Sequence, residues 1–222
     1  MSFTAEVAVS YVVAIYITSL TNPPVAAAER TRAEASVTDQ VVPQLTVRVY
    51  NLANVRPYIV MWAEAEAERM LQSTHLKLNW VNCSKNERPS VCTSRDGPTD
   101  LMVRIVPMAY HQASAKALGA ITKAEDHNSA VLFYDRVMAL RDFHRASHLI
   151  LGRAMAHEIV HLLLPVNSHA GQGLMRATWN VEDLGVASPA CLGLSNRWIM
   201  MVQEEARRRI EAARSIQDRP AR

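Results

Sequence analysis

Charge of one sign is in short supply along this chain. Lys and Arg number 24 against 21 Asp and Glu, a formal net charge of +3. Acidic residues dilute the basic ones over most of the length, which gives a nucleic-acid reading little support. Cysteine is scarce as well: three in 222 residues, none in a CxxC pair. That excludes the close spacing of a zinc knuckle or a dithiol redox motif. No internal repeat and no low-complexity domain is visible. The one uncharged apolar run, Val7 to Leu20 (VAVSYVVAIYITSL), is too short to span a bilayer comfortably.

What is present points to export. The apolar run has the length of a signal-peptide core, and Pro23-Pro24 and Val25-Ala26-Ala27-Ala28 follow it as a small-x-small cleavage site. Residues 1–28 therefore read as a secretory signal peptide, giving a secreted or periplasmic protein with no stable membrane insertion after its removal. Glu6, and no Lys or Arg, precedes the run; a retained anchor and a buried strand or helix are the alternatives. Cys83 and Cys92 flank the polar loop SKNERPSV, long enough for a disulfide to close. Cys191 is left over. Residues 29–44 read as a flexible lead-in, and they contain no cysteine that could block a metal. Residues 45–222 are enough for one domain with a sizeable core, and 49% hydrophobic with 20% charged residues is ordinary for a globular protein.

Local patterns give the elements. LTVRVY (Leu45 to Tyr50) and LKLNWV (Leu76 to Val81) alternate as strands around an amphipathic helix, Tyr58 to Ser73, with Trp62 and Met70 in its core stripe. Asp100 to Pro107 and Asn128 to Tyr134 read as further strands, whereas Met108 to Ala117 has no clear period. Val137 to Leu164 reads as one long helix or two joined ones, stopped at Pro165. Leu194 to Gln217 reads as a C-terminal helix, whose Glu- and Arg-rich sequence fits a solvated face with intrahelical pairs. The order predicts an α+β domain with a mixed sheet.

The chemistry concentrates in AHEIVHLLLPVNSHAGQGLM, Ala156 to Met175. On a helix, residues four apart share a face, so His157 and His161 can point two imidazoles at one metal ion. Catalytic zinc keeps three protein ligands and an open position. Glu158, beside the first histidine, can act as general base on the attacking water. Pro165 ends the helix, Asn167-Ser168 favours a turn, and His169 can swing back as third ligand. Gly171 and Gly173 let the chain loop under the site, with Met175 below the histidines. The structural reading is a helix whose histidines are merely hydrogen-bonded.

HEIVHLLLPVNSHAGQGLM resembles the zincin peptidases, and within them the metzincins: HExxH, a third His after a tight turn, then a turn methionine. The chain departs from the metzincin spelling HExxHxxGxxH, since Leu164 stands at the glycine and His169 comes two residues late. From His157 to Trp179 it is similar to a group of secreted bacterial zinc proteins spelled HEIGHLLLGxxxHxxxGxMRxxW, with Pro165 replacing a glycine. The strand ending in VRVYN, and Trp80 to Cys83 as W-x-x-C, extend the resemblance to about Leu45. It implies that His157, His161 and His169 bind one zinc ion, that Glu158 is the general base and that Met175 is the turn methionine. It implies a single zincin-like domain, a metallopeptidase acting on peptide or protein substrates. It also implies an edge strand that binds extended substrate, a role open to Asn128 to Tyr134. A non-catalytic zinc-binding module, or a degenerate zincin, is the alternative, and hydrolysis of another amide or ester is a third reading. The motif also resembles the gluzincin peptidases, whose third ligand is a Glu on a later helix, and that resemblance makes Glu182, 21 residues after His161, the alternative metal ligand. His144 and His148 read as surface or capping groups. Tyr110 and Tyr134 could serve as oxyanion donors if the fold brings them to the metal.

Overall fold

The structure, a computed structural model, describes residues 42–83, 89–111, 113–123, 128–144, 146–164, 169–179 and 192–218. The signal-peptide reading, nearly all of the lead-in, Glu182 and Cys191 lie outside these residues.

Strand β1 (Gln44–Asn51) leads into helix α1 (Pro57–Leu71), which Pro57 opens at a position where its missing N–H costs nothing. A 3-10 turn at Gln72–Thr74 ends in His75 with φ 54°, and β2 (Lys77–Asn82) follows, parallel to β1. This is the βαβ start expected from the alternation. Next come β3 (Asp100–Val106), β4 (Gly119–Lys123) and β5 (Asn128–Phe133). The sheet order is β2-β1-β3-β5-β4, parallel except for β4, which runs antiparallel to β5. The long helical stretch is two helices, α2 (Tyr134–His144) and α3 (Ser147–Leu163), and α4 (Asn196–Gln217) closes the domain. The α+β class and the mixed sheet stand as expected. Among the described residues no helix is long and apolar enough to cross a membrane.

Alternation along the strands sets the two faces of the sheet. Val47 and Val49 of β1, Val103 and Ile105 of β3, and Ala130 and Leu132 of β5 join the main core with α1 and α3. Val131 and Phe133 face the other way, into a smaller cluster with Val106. β5 is therefore buried on both faces and lies inside the sheet, between β3 and β4. The substrate-strand role considered for Asn128 to Tyr134 falls away on this count, because an interior strand has no free edge to offer. The edge on that side is β4, five residues that the sequence pattern did not single out.

Two polar devices brace the core. Arg48, on the side of β1 away from the helices, is buried and donates to Asp96 Oδ1 (2.7 Å), Asp100 Oδ2 (2.6 Å) and the Ser94 carbonyl (3.0 Å). The segment it holds begins at the Cys83–Cys92 disulfide, which is formed as the loop suggested, with Cα atoms 5.6 Å apart. Between the helices, Glu66 of α1 accepts from Arg153 of α3 at 2.9 Å and from Arg69 at 2.6 Å. Trp62 is not in the core stripe. It stands half exposed against Tyr58 and His148, because the buried face of α1 runs through Val60, Ala63, Glu66, Ala67, Met70 and Leu71.

The helices touch at Gly152, where a Cβ would lie 2.5 Å from the Ala63 carbonyl and 2.6 Å from Glu66 Cβ. Both are parts of a packed helix that cannot swing aside. Gly152→Ala is expected to lower stability by about 2 kcal/mol or more despite its better helix propensity. Urea unfolding at neutral pH reads this as a lower midpoint; an unchanged midpoint would show that the two helices can part freely.

Candidate metal centre

HEIVH occupies the last two turns of α3. The helix is buried along its whole C-terminal half, since α1 covers one side and the sheet another. Spacing alone brings His157 and His161 onto one face, and their Nε2 atoms lie 3.0 Å apart. The chain then returns so that His169 Nε2 lies 3.2 Å from His161 Nε2. All three nitrogens fall within 4.8 Å of one another, a group able to hold a metal ion.

Protonation arithmetic shows what this cluster wants. His157 Nδ1 lies 2.7 Å from the Leu174 carbonyl, a pure acceptor, so Nδ1 carries the proton and Nε2 presents a lone pair. A single proton on His161 Nε2 can bridge to one neighbour only, so one of its two close contacts is left without a hydrogen bond. A cation relieves all three nitrogens at once. Tetrahedral zinc with Zn–N of about 2.0–2.1 Å sets ligand nitrogens roughly 3.3 Å apart, close to the separations found here. Burial supports the neutral forms that ligation requires. It pulls His157 down to about 4, against a smaller upward pull from the Leu174 carbonyl and with His169 adding downward. It pulls His161 down to about 3, with help from His157 and His169. The donor set therefore fits zinc.

Glu158 lines the same cleft as the three histidines. It is buried, and burial alone lifts its carboxyl to about 8. Its Oε1 lies 2.7 Å from where a Cβ on Gly119 would stand, so only glycine at the start of β4 lets the carboxylate lie against the edge strand. The cleft, about 430 Å³, is lined by β4 from Gly119 to Ile121, the three histidines, Glu158 and the segment from Arg176 to Trp179.

The turn under the site is held by backbone. Ala170 N–H donates to the Met175 carbonyl at 2.7 Å, and Arg176 N–H to the Gly173 carbonyl at 3.1 Å. Gly173 has φ 75°, whereas Gly171 has open space around it. Met175 is buried in the main core, one residue beyond the carbonyl that orients His157. At the end of α3, Arg209 of α4 donates to the Leu162 carbonyl at 2.8 Å, satisfying a terminal acceptor next to His161. Three of the five arginines on α4 form the intrahelical pairs expected of them: Arg207 with Glu204 and Glu211, and Arg208 and Arg209 with Glu205.

Sequence reading picked out the histidines, Glu158 and Met175, and the structure brings His157, His161, His169 and Glu158 to one cleft. Tyr110 and Tyr134 do not line it; Tyr110 packs edge-on to Phe133. The Leu174 carbonyl, Gly119 and Trp179, which stands edge-on to His157 at 5.5 Å, were missed as site components. A lone glycine opening a short segment of small and branched residues, Gly119 to Ile121, was the available signal for a close backbone approach.

No family model matches the chain, and no curated protein matches its sequence. Among solved structures the chain is similar to a zinc-dependent peptidase from Methanocorpusculum labreanum, at 12% identity over 70% of this chain and 99% of that one, with a TM-score of 0.49. It is similar also to archaemetzincin from Methanopyrus kandleri, at 14% identity over 74% of this chain and 97% of that one, with a TM-score of 0.49.

Proposed function

We propose that this protein is an exported, zinc-dependent peptide hydrolase of metzincin-like type. The observation that carries the proposal is the convergence of three imidazole Nε2 atoms, 3.0 and 3.2 Å apart in sequence order, beside a buried carboxyl in an open cleft. His157, His161 and His169 would hold the ion. Zinc supplies Lewis acidity, which makes a water molecule nucleophilic near neutral pH and polarises a carbonyl. Glu158 takes the proton of the attacking water and hands it to the leaving amine, a transfer that favours a carboxyl poised near the working pH. Leu174 fixes the His157 tautomer through its carbonyl. Among the described residues the outer edge of β4, alongside Glu158, is unpaired, so an extended peptide can add to the sheet by backbone hydrogen bonds. A carboxyl lifted by burial and aimed into a cleft has no place in a purely structural zinc site, which four protein ligands usually close. This favours the hydrolase over the non-catalytic module.

Elemental analysis of the purified chain tests the metal half. About one zinc per chain is expected, as one site requires, and a strong reduction in His169→Ala. Zinc retained in that variant would hand the third position to another group, Glu182 first. No zinc in either protein after metal is offered would end the proposal.

A further inference from the structure

We infer that Trp179 is the hydrogen-bond donor to the carbonyl oxygen of the bond to be cut, through its indole N–H. The inference rests on the hydrolase reading above and adds a group to it.

Water that adds to a peptide carbonyl puts negative charge on the carbonyl oxygen, and a donor fixed in advance at that position lowers the barrier. Tyrosine is the donor that the sequence suggested, and neither Tyr110 nor Tyr134 lines the cleft. Trp179 does. Its ring stands edge-on to His157, with the centroids 5.5 Å apart. The indole therefore lies beside a ring whose Nε2 is one of the three converging nitrogens.

Among the described residues three buried side-chain atoms lack a hydrogen-bond partner: Arg48 Nε, His161 Nδ1 and Trp179 Nε1. Arg48 makes its bonds through its two other nitrogens, and His161 makes close contacts through Nε2. Trp179 has no second polar atom. An indole nitrogen only donates, so its whole hydrogen-bonding capacity is idle. Trp80 shows the ordinary outcome, with Nε1 donating to Glu68 at 2.8 Å. An idle buried donor costs stability, a cost that phenylalanine in the same wall would not carry. An N–H in a cleft wall that meets no acceptor in the protein has the occupant of the cleft as its remaining partner.

The donor's part in the reaction is simple. As the water oxygen bonds to the carbonyl carbon, one water proton goes to Glu158 and the π pair moves onto the carbonyl oxygen. The indole N–H bonds to that oxygen and keeps its proton throughout. When the C–N bond breaks, the oxygen pair re-forms the carbonyl. The amine leaves with the C–N pair and the proton that Glu158 carried, and the second water proton stays with the acid product.

A phosphinic peptide imitates the tetrahedral, negatively charged species, and the matching amide peptide imitates the ground state. In zinc-loaded protein, Trp179→Phe is expected to weaken the phosphinic peptide about tenfold to a hundredfold, the range for a hydrogen bond to a charged group. Turnover should drop by the same factor in kcat, with KM nearly unchanged. In isotope-labelled wild type, the indole N–H signal that is absent from Trp179→Phe should move downfield when the phosphinic peptide is added, while the signal of Trp80 stays. A benzothienyl analogue of tryptophan at residue 179, with sulfur where the N–H was, keeps the shape and should behave as Trp179→Phe does, with zinc content unchanged. An indole signal that stays put would overturn the inference. So would phosphinic affinity and kcat at the wild-type level in the benzothienyl protein, since Trp179 would then only pack against His157. Wild-type behaviour separates the two claims. A protein that leaves peptides uncut yet shifts its indole signal on binding the phosphinic peptide ends the hydrolase and keeps the donor. Cleavage with equal kcat in the variants does the reverse, and a wild type that never binds the phosphinic peptide sinks both.

Discussion

Glu158→Gln is expected to abolish hydrolysis and, at the same time, to make the metal-free protein more stable. The two effects share one cause. The carboxyl sits buried beside Gly119, and burial raises it from 4.5 to about 8. A carboxyl raised by folding stabilises nothing above its unfolded value. Between pH 4.5 and 8 the unfolded chain holds the charge at little cost while the folded chain resists it, so stability falls as pH rises through this window. Gln keeps the shape and removes the charge. Relative to wild type the gain is near zero below pH 4.5, grows with pH, and reaches about 3 kcal/mol at pH 7, at 1.36 kcal/mol per unit. In zinc-loaded protein the gain shrinks, because the cation favours the carboxylate. Thermal melts of chelator-treated wild type and variant across pH 4 to pH 8, with casein turnover alongside, read both effects. A drop in turnover of about a thousandfold or more is expected where a general base acts together with the metal. Turnover within tenfold of wild type would remove Glu158 from the chemistry. A melting difference that does not grow with pH would show that the carboxyl is solvated in the folded state.

The site was legible because its spacing is a property of one helix. HEIVH needs only the four-residue repeat to place His157 and His161 together, and Pro165 marks where the helix must end. The strands β1, β2, β3 and β5 were legible for the same kind of reason, since each carries alternating or continuous branched residues over a normal strand length. β4 was not. Gly119–Lys123 is short, holds one glycine and one small residue at its start, and owes its strand form to pairing with β5 rather than to its own propensity. The edge role consequently went to β5, the more apolar run, when apolarity on both faces is the mark of an interior strand. Trp62 was misplaced by a similar shortcut: residue type suggested core, whereas its position on α1 lies off the buried face. The backbone partner of His157 could not be read at all, because a carbonyl has no signature in sequence.

That carbonyl gives the site its other sensitive point, at Gly173. Here φ is 75°, and a Cβ would lie 2.4 Å from the Gly193 carbonyl oxygen. Gly173→Ala thus meets two obstacles, a left-handed backbone costing about 1–3 kcal/mol for a residue with a Cβ and a clash with backbone that cannot rotate away. The chain must shift at residue 173, and Leu174 is the next residue. Its carbonyl is what holds Nδ1–H of His157 and turns Nε2 toward the other two histidines. Displacing it loosens the ring without touching any ligand, a kind of change that typically weakens metal binding by about 10- to 100-fold. Competition with a chromophoric chelator measures that loss, and unfolding of the metal-free variant measures the strain separately. Gly171→Ala is the matched control, since nothing lies within 4 Å of a Cβ there. If Gly173→Ala destabilises the fold but binds zinc as wild type does, the Leu174 carbonyl follows the metal rather than positions its ligand. If both fall together while Gly171→Ala is silent, the turn is what sets the tautomer.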